Sequence, residues 1–256
     1  MEFLLDTWHL FLRLVRATLR MPVFVIISIV QPILWVLLFG QLFKSVTTIP
    51  GFGASSYVQF LAPGISIMTA LFGAAYSGMG LLADIDRGVL DRLLATPVSR
   101  GALIAGRILH AAVQVIVQAG IILVVACLLG ARPHGGVAGI LTVFLAASLL
   151  GAAFASFSNA LALLARRQEL VIAVMNFVVL PATFLSSMIM SRDLMPGWIR
   201  GVSRFNPVNW AVMAARDGFE GRNGSGILVS LALLAALACI FALLATQAFK
   251  RYRQAM

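Results

Sequence analysis

Six apolar runs alternate with short polar segments along most of this chain, at residues 22–43, 60–83, 103–129, 137–165, 170–190 and 227–249. A helix needs about 20 predominantly apolar residues to cross the hydrocarbon core of a bilayer, and every run meets that length. Residues 1–21 follow a different pattern. Leu5, Trp8, Leu12, Val15 and Leu19 recur at three- and four-residue spacing, while Glu2, Asp6, His9, Arg13, Arg16 and Arg20 keep the same spacing on the other face. Two such stripes predict an amphipathic helix lying in the membrane interface. A solvated helix of a small soluble subdomain is the other reading, but nothing soluble follows for it to pack on. Pro22 opens the first run, where its missing N–H costs little, and Pro32 within it predicts a kink.

The segments between runs are short, apart from a charged loop at 84–100 and the longest non-spanning stretch at 191–226. The expected fold is therefore all-α: one membrane domain over 1–256 with six transmembrane helices. It has an interfacial helix in front and a short external or re-entrant helical segment before the last span. No internal repeat is visible. Composition agrees with lipid as the solvent. Hydrophobic residues are 61% of 256 and charged residues 11%, against roughly half and a quarter in a soluble domain. The net charge of +10 does not gather into a patch that would bind nucleic acid. Its basic residues sit singly beside apolar runs, as anionic headgroups favour. With both termini on one side, that side holds twelve of the 19 Lys and Arg and the other seven, which predicts cytoplasmic termini. Glu2 and Asp6 come where a signal peptide would be basic, so the N-terminus is expected to be retained. Cys127 and Cys239 lie inside apolar runs without CxxC neighbours and read as small buried hydrophobes, with no metal site expected.

The charged loop offers the clearest candidate for a partner surface. Val89, Leu90, Leu93 and Leu94 would share one face of a short helix, with Asp86, Arg87, Asp91 and Arg92 around it and Asp84 and Gly88 alongside. Thr96 before Pro97, or Ser99, can cap the helix that follows. Such a helix can dock into a partner's groove or merely join two spans, and its residues leave both readings open. Within the third run His110, Gln114 and Gln118 form one stripe with Arg107 a turn below; Gln31, Ser66, Ser77, Asn159 and Asn176 lie in other runs. Hydrogen bonds between helices, worth about 0.6 kcal/mol each, compete with a polar wall of a substrate path. A proton relay through His110 lacks an intramembrane carboxylate. Trp198, Phe205, Trp210 and Phe219 in the 191–226 segment suit helices at the interface, with Asn206, Asn209 and Arg216 to satisfy backbone ends or to pair across a dimer.

The run Asp86-Arg-Gly-Val-Leu-Asp-Arg-Leu-Leu-Ala-Thr-Pro-Val-Ser-Arg100 resembles the loop after the second span of ABC-2 type transporter permeases. That family reads roughly Glu-x-Gly-Thr-Leu-Glu-x-Leu-x-x-Thr-Pro there; Asp91 stands for the usual Glu and Val89 for Thr. Met195-Pro-Gly-Trp198 and Phe205-Asn-Pro-Val-Asn-Trp-Ala-Val-Met-Ala-Ala-Arg216 resemble the family's external segment before the last span. The resemblance covers the whole chain and is nearest to the drug-exporting, daunorubicin-permease branch, with a type V exporter-like layout.

The resemblance implies a permease subunit of an exporter in a bacterial inner membrane. Two permeases, identical or related, would pair with two ATP-binding subunits that hold the ATP and Mg; this chain would bind no cofactor. Asp84, Asp86, Arg87, Gly88, Leu90, Asp91, Arg92, Leu93 and Leu94 would receive the motion of ATP turnover. Trp8, Arg13, Arg16 and Arg20 of the interfacial helix would touch the same subunits. Trp198, Phe205, Asn206, Pro207, Trp210 and Arg216 would close the external end. Gln31, His110, Gln114, Gln118, Asn159 and Asn176 remain candidates for the pathway or for interhelical bonds. The cargo would be hydrophobic or amphiphilic, a drug or antibiotic first, with a lipid or polysaccharide as alternatives. The chain itself is expected to be no enzyme: neither lysine, Lys44 or Lys250, sits in a GxxxxGK[ST] loop. Two further classes stay in view. A proton-coupled secondary transporter would need an ionisable group near the midplane, where no Asp, Glu or Lys falls. An intramembrane enzyme would need more than His110, the only histidine inside a run.

Overall fold

Small residues set the packing of the bundle. A computed structural model describes residues 2–48, 56–95, 100–222 and 224–254, and among these there are helices and turns but no strand. The helices are α1 (Glu2–Leu19), α2 (Pro22–Leu42), α3 (Tyr57–Ala75), α4 (Ser77–Asp86), α5 (Val89–Leu94), α6 (Arg100–Leu128), α7 (Gly136–Ala165), α8 (Gln168–Phe184), α9 (Gly197–Ser203), α10 (Pro207–Phe219) and α11 (Ser225–Gln254). Four stretches are long and apolar enough to cross a membrane: Tyr57–Asp86, Gly101–Leu128, Gly136–Ala165 and Ser225–Lys250. Shorter apolar stretches, Ile26–Leu42 and Gln168–Phe184, occupy the places of the first and fifth expected runs. The caps proposed at Thr96 and Ser99 fall outside the described residues, as does most of the loop before α3.

Helix α7 is the centre, packed against α3, α4, α6, α10 and α11. Its buried face carries Gly139, Ala146, Ala147, Gly151, Ala153, Ala155 and Ala162, so neighbouring backbones come close, as in membrane interfaces built on small residues. The second apolar run is divided at Tyr76, between α3 and α4, and α7 pins the break. Ser158 Oγ donates to the Ala75 carbonyl at 2.5 Å and accepts from the Gly78 N–H at 3.0 Å, while Asn159 Nδ2 donates to Ser77 Oγ. A Cβ at Gly78 would fall 2.3 Å from the Ser158 carbonyl oxygen, a backbone atom that cannot swing aside. Gly78→Val should therefore cost about 3 kcal/mol, the upper range for overpacking a core, read as a lower thermal midpoint in detergent. Gly139 meets the Gly218 carbonyl equally closely and seats α10 on α7.

The structure corrects two expectations. Helix α8 stops at Phe184 rather than reaching 190; Pro181 lacks an N–H, and the chain leaves the helix one turn later. Pro32 lies inside α2, between Pro22 and Leu42. Cys127 and Cys239 are exposed on the bundle surface, not buried, since apolar runs have a lipid-facing side as well as a packed one. Helix α1 seats itself on the bundle by Leu10 and Phe11, while Leu5, Trp8 and Leu19 of its apolar stripe point outward, as an interfacial helix turns such a stripe to lipid. It lies along α6, where Gly106 admits Leu10 and the Thr7 carbonyl.

Candidate functional site

Two groups of polar side chains, one at each end of the bundle, stand out against its apolar walls. At the α4–α5 end, Gly88 has φ +64°, a left-handed value that glycine adopts without strain, and it turns the chain from α4 into α5. Helix α5 is anchored by Leu90, which is 2% exposed, with Leu93 packed partly against the same core. Asp86, Arg87 and Arg92 remain exposed beside them. The apolar face foreseen for this helix thus holds it to its own bundle, and its charged side chains face outward. The side chains of Asp91 and Leu94 are outside the described set.

Asp84 turns inward, away from that surface. Its carboxylate accepts from Arg13 of α1 at 2.6 Å and from Arg107 of α6 at 2.5 Å. One acidic residue at the foot of α4 therefore ties three helices together. Above it, Thr18 of α1 and His110 Nε2 of α6 are hydrogen-bonded at 2.9 Å. Arg16 and Arg20 are exposed, as is Trp8. A cavity of about 300 Å³ lies inside this cluster, bordered by Arg13, Arg87, Arg107, His110, Gln114 and Gln118.

The polar residues of the spans divide into two kinds. Asn159 bonds Ser77 and the Ala155 carbonyl, and Asn176 accepts from the Tyr76 hydroxyl at 2.7 Å, so both bind helix to helix. Gln31, Gln114 and Gln118 border a second, larger cavity of about 600 Å³ between α2, α3, α6 and α8, whose other walls include Trp35, Phe39, Phe72 and Phe184. Gln118 Nε2 donates to Ser28 Oγ at 3.1 Å. Its Oε1 is buried and takes no hydrogen bond among the described residues.

At the opposite end, the Leu185 N–H makes a last helical bond to the Pro181 carbonyl, after which the chain leaves α8 and side chains of α10 and its approach pair its backbone groups. Asn206 caps α10 by accepting from the Val208 N–H, and its Nδ2 donates to the Ala182 and Leu185 carbonyls. Asn209 Oδ1 accepts from the Ser187 N–H at 3.0 Å. Arg216, 6% exposed, donates to the Ser187 and Met188 carbonyls at 2.9 and 3.2 Å. Its guanidinium lies 3.7 Å from the centroid of the Phe60 ring, beyond which Tyr57 donates to the Ile189 carbonyl. Non-helical backbone at depth is tolerable when its polar groups are paired in this way. Of the two short helices here, α10 is packed into the bundle, whereas α9 buries only Ser203. Trp198 and Phe205 project outward at 66% and 82% exposure, and Trp210 donates from its indole to the Arg204 carbonyl.

Sequence reasoning missed the pairing of Asp84 with Arg13 and Arg107, and the role of Gln59. That glutamine holds the α6–α7 connection by a two-way bond to the Arg132 backbone, 2.7 Å in each direction. Asp84 could have been suspected from its place, since a lone carboxylate at the end of an apolar run needs a cation. Nothing local marks Gln59. Among the described residues no group of His, Cys, Asp or Glu has metal-binding geometry.

An all-helical bundle of apolar stretches, with charged side chains gathered at its ends and largely apolar cavities between its helices, suits a membrane transport permease. The chain belongs to the ABC-2 type transporter family, whose model matches residues 6–219. It is 28% identical to the daunorubicin resistance ABC transporter permease protein DrrB1 of Streptomyces coeruleorubidus over 241 residues, 93% of this chain and 83% of that protein. It is 29% identical to the inner membrane transport permease YadH of Escherichia coli strain K12 over 253 residues, 96% of this chain and 92% of that one. Membership places it in an ABC transporter system with an ATP-binding partner.

Proposed function

We propose that this chain is the membrane subunit of an ATP-driven exporter in a bacterial inner membrane, with both termini cytoplasmic. Two permeases, each a copy or relative of this chain, would pair with two ATP-binding subunits that carry ATP and Mg. The cargo would be hydrophobic or amphiphilic, with drugs and antibiotics the first candidates, in keeping with the daunorubicin resistance permease it is similar to. The observation that best supports this reading is α5. A six-residue helix held by buried Leu90 and half-buried Leu93 presents Asp86, Arg87 and Arg92 outward. Through α4 and the Asp84 pairs it is joined to both α1 and α6. A push on such an element is passed to three helices rather than absorbed in a loop.

The outer end of the pathway would be closed by α10 and the 185–191 segment, with the exposed Trp198 and Phe205 at the lipid surface. The cavities bordered by Gln114 and Gln118 would belong to the substrate path. Reconstitution with the ATP-binding partner tests the reading. ATP should drive efflux that a proton uncoupler leaves intact. Arg92→Glu should insert normally yet lower that efflux by about tenfold, equivalent to roughly 1.4 kcal/mol of lost coupling between the subunits. Efflux that collapses with the proton gradient, or that ignores Arg92→Glu, would count against it.

A further inference from the structure

The cavity between α1, α4 and α6 carries more positive charge than its fold requires. Arg13 and Arg107 share the single carboxylate of Asp84, and Arg87 borders the same cavity without an ion pair among the described residues. Three guanidinium groups thus face one carboxylate. Arg107 is buried, but Arg13 is 37% exposed on its side chain and Arg87 is exposed, so the excess positive charge stands at the mouth of the cavity, where guanidinium groups beside a membrane attract an anionic head group.

The rest of the cavity limits what that anion is attached to. Gln114 stands seven residues beyond Arg107 on α6, roughly 10 Å along the helix, and Gln118 lies one turn further with its buried, unpartnered Oε1. At these two glutamines the charged cavity meets two apolar grooves, one on each side of α2. The smaller, about 160 Å³, runs between α1, α2 and α6 past Val15 and Val117. The larger is the aromatic-walled cavity of about 600 Å³ already described. Charge lies at one end, an unmet hydrogen-bond acceptor in the middle and two apolar grooves beyond it, and Gln114 and Gln118 stand in the walls of all three.

We propose that this is a binding site for an anionic amphiphile with two apolar chains. A phosphate-type head group sits among Arg13, Arg87 and Arg107, and the chains pass Gln118 to divide around α2; an amphiphile whose linker carries a hydroxyl or amide N–H would also donate to Gln118 Oε1. Basic pockets between membrane helices recognise anionic lipid head groups by this chemistry. The bilayer's own phospholipid and an anionic amphiphilic cargo would both satisfy it. The inference does not depend on the direction of transport or on the identity of the exported compound.

Purified permease in neutral detergent, offered equal amounts of dioleoyl phosphatidylglycerol and dioleoyl phosphatidylcholine, tests it by native mass spectrometry of the bound lipid. Wild-type protein should favour phosphatidylglycerol. Arg87→Gln, which disturbs no ion pair of the fold, should reduce that preference by about fivefold, and Arg87→Lys should keep it. Arg167→Gln removes an exposed cation remote from the cavity and should change nothing. Equal binding of the two lipids, an unchanged preference in Arg87→Gln, or an equal loss in Arg167→Gln would overturn the proposal. Adding the ATP-binding partner separates the two sources while leaving the site in place. Bound phosphatidylglycerol released on ATP turnover behaves as cargo, and phosphatidylglycerol retained through turnover behaves as resident lipid.

Discussion

Asp84→Ala should loosen α1 from the bundle and destabilise the protein by about 3–5 kcal/mol, the usual cost of leaving a buried charge without its partner. Most of that comes from Arg107, whose side chain is 10% exposed and whose ion partner is Asp84. Arg13 is 37% exposed on its side chain and adds little, because solvent screens it. The effect should appear as a lower thermal midpoint in detergent and as faster proteolysis near Arg20, where α1 passes into α2. Replacing the pair together, Asp84→Ala with Arg107→Met, should recover much of the loss, since an apolar substitute leaves no stranded charge. If the double variant is as unstable as the single one, packing rather than charge holds this corner.

Arg216→Ala should be comparably severe at the other end. Two charge-assisted hydrogen bonds at about 1.5–3 kcal/mol each, and a cation–π contact worth up to about 2 kcal/mol when desolvated, converge on one side chain. These terms overlap, so a net loss of about 3–5 kcal/mol is expected rather than their sum. Its local signature distinguishes it from general unfolding. Without Arg216 the Ser187 and Met188 carbonyls lose their donors, and the 185–191 segment should open first. A cysteine placed at Ile189, half-buried beside Tyr57, should react with a maleimide faster in the Arg216→Ala background. Arg216→Lys should restore only part of the stability, because a point-like ammonium neither stacks on Phe60 nor spans both carbonyls as the planar guanidinium does.

The layout of apolar runs was legible because hydrophobic length is a local property, read residue by residue. So was the face of α5: Leu90 and Leu93 fall on one side, as their spacing dictates. Periodicity could not say which side of an apolar helix meets protein and which meets lipid, since both are equally apolar. That is why Cys127 and Cys239 read as buried. The ionic cluster was illegible for another reason. Asp84 meets Arg13 across 71 residues of sequence and Arg107 across 23, and no local spacing encodes such a meeting. From the sequence alone Asp84 belonged with Asp86 and Arg87 on the charged loop; in the fold it turns inward while they remain exposed. The early end of α8 lies between these cases. Pro181 was passed over within the fifth run, and the chain can stay unwound from 186 to 191 only because Asn206, Asn209 and Arg216 arrive from more than 20 residues on to satisfy its backbone.

The central claim is that energy enters this permease through the short helix after α4. Hydrogen exchange of the intact permease, measured with and without its ATP-binding partner, tests this most directly. Amides of 88–94 should become protected when the partner binds and change again on adding ATP, while the 166–169 turn at the same end of the bundle changes less. Protection confined to 166–169, with 88–94 exchanging as in the free permease, would contradict the claim.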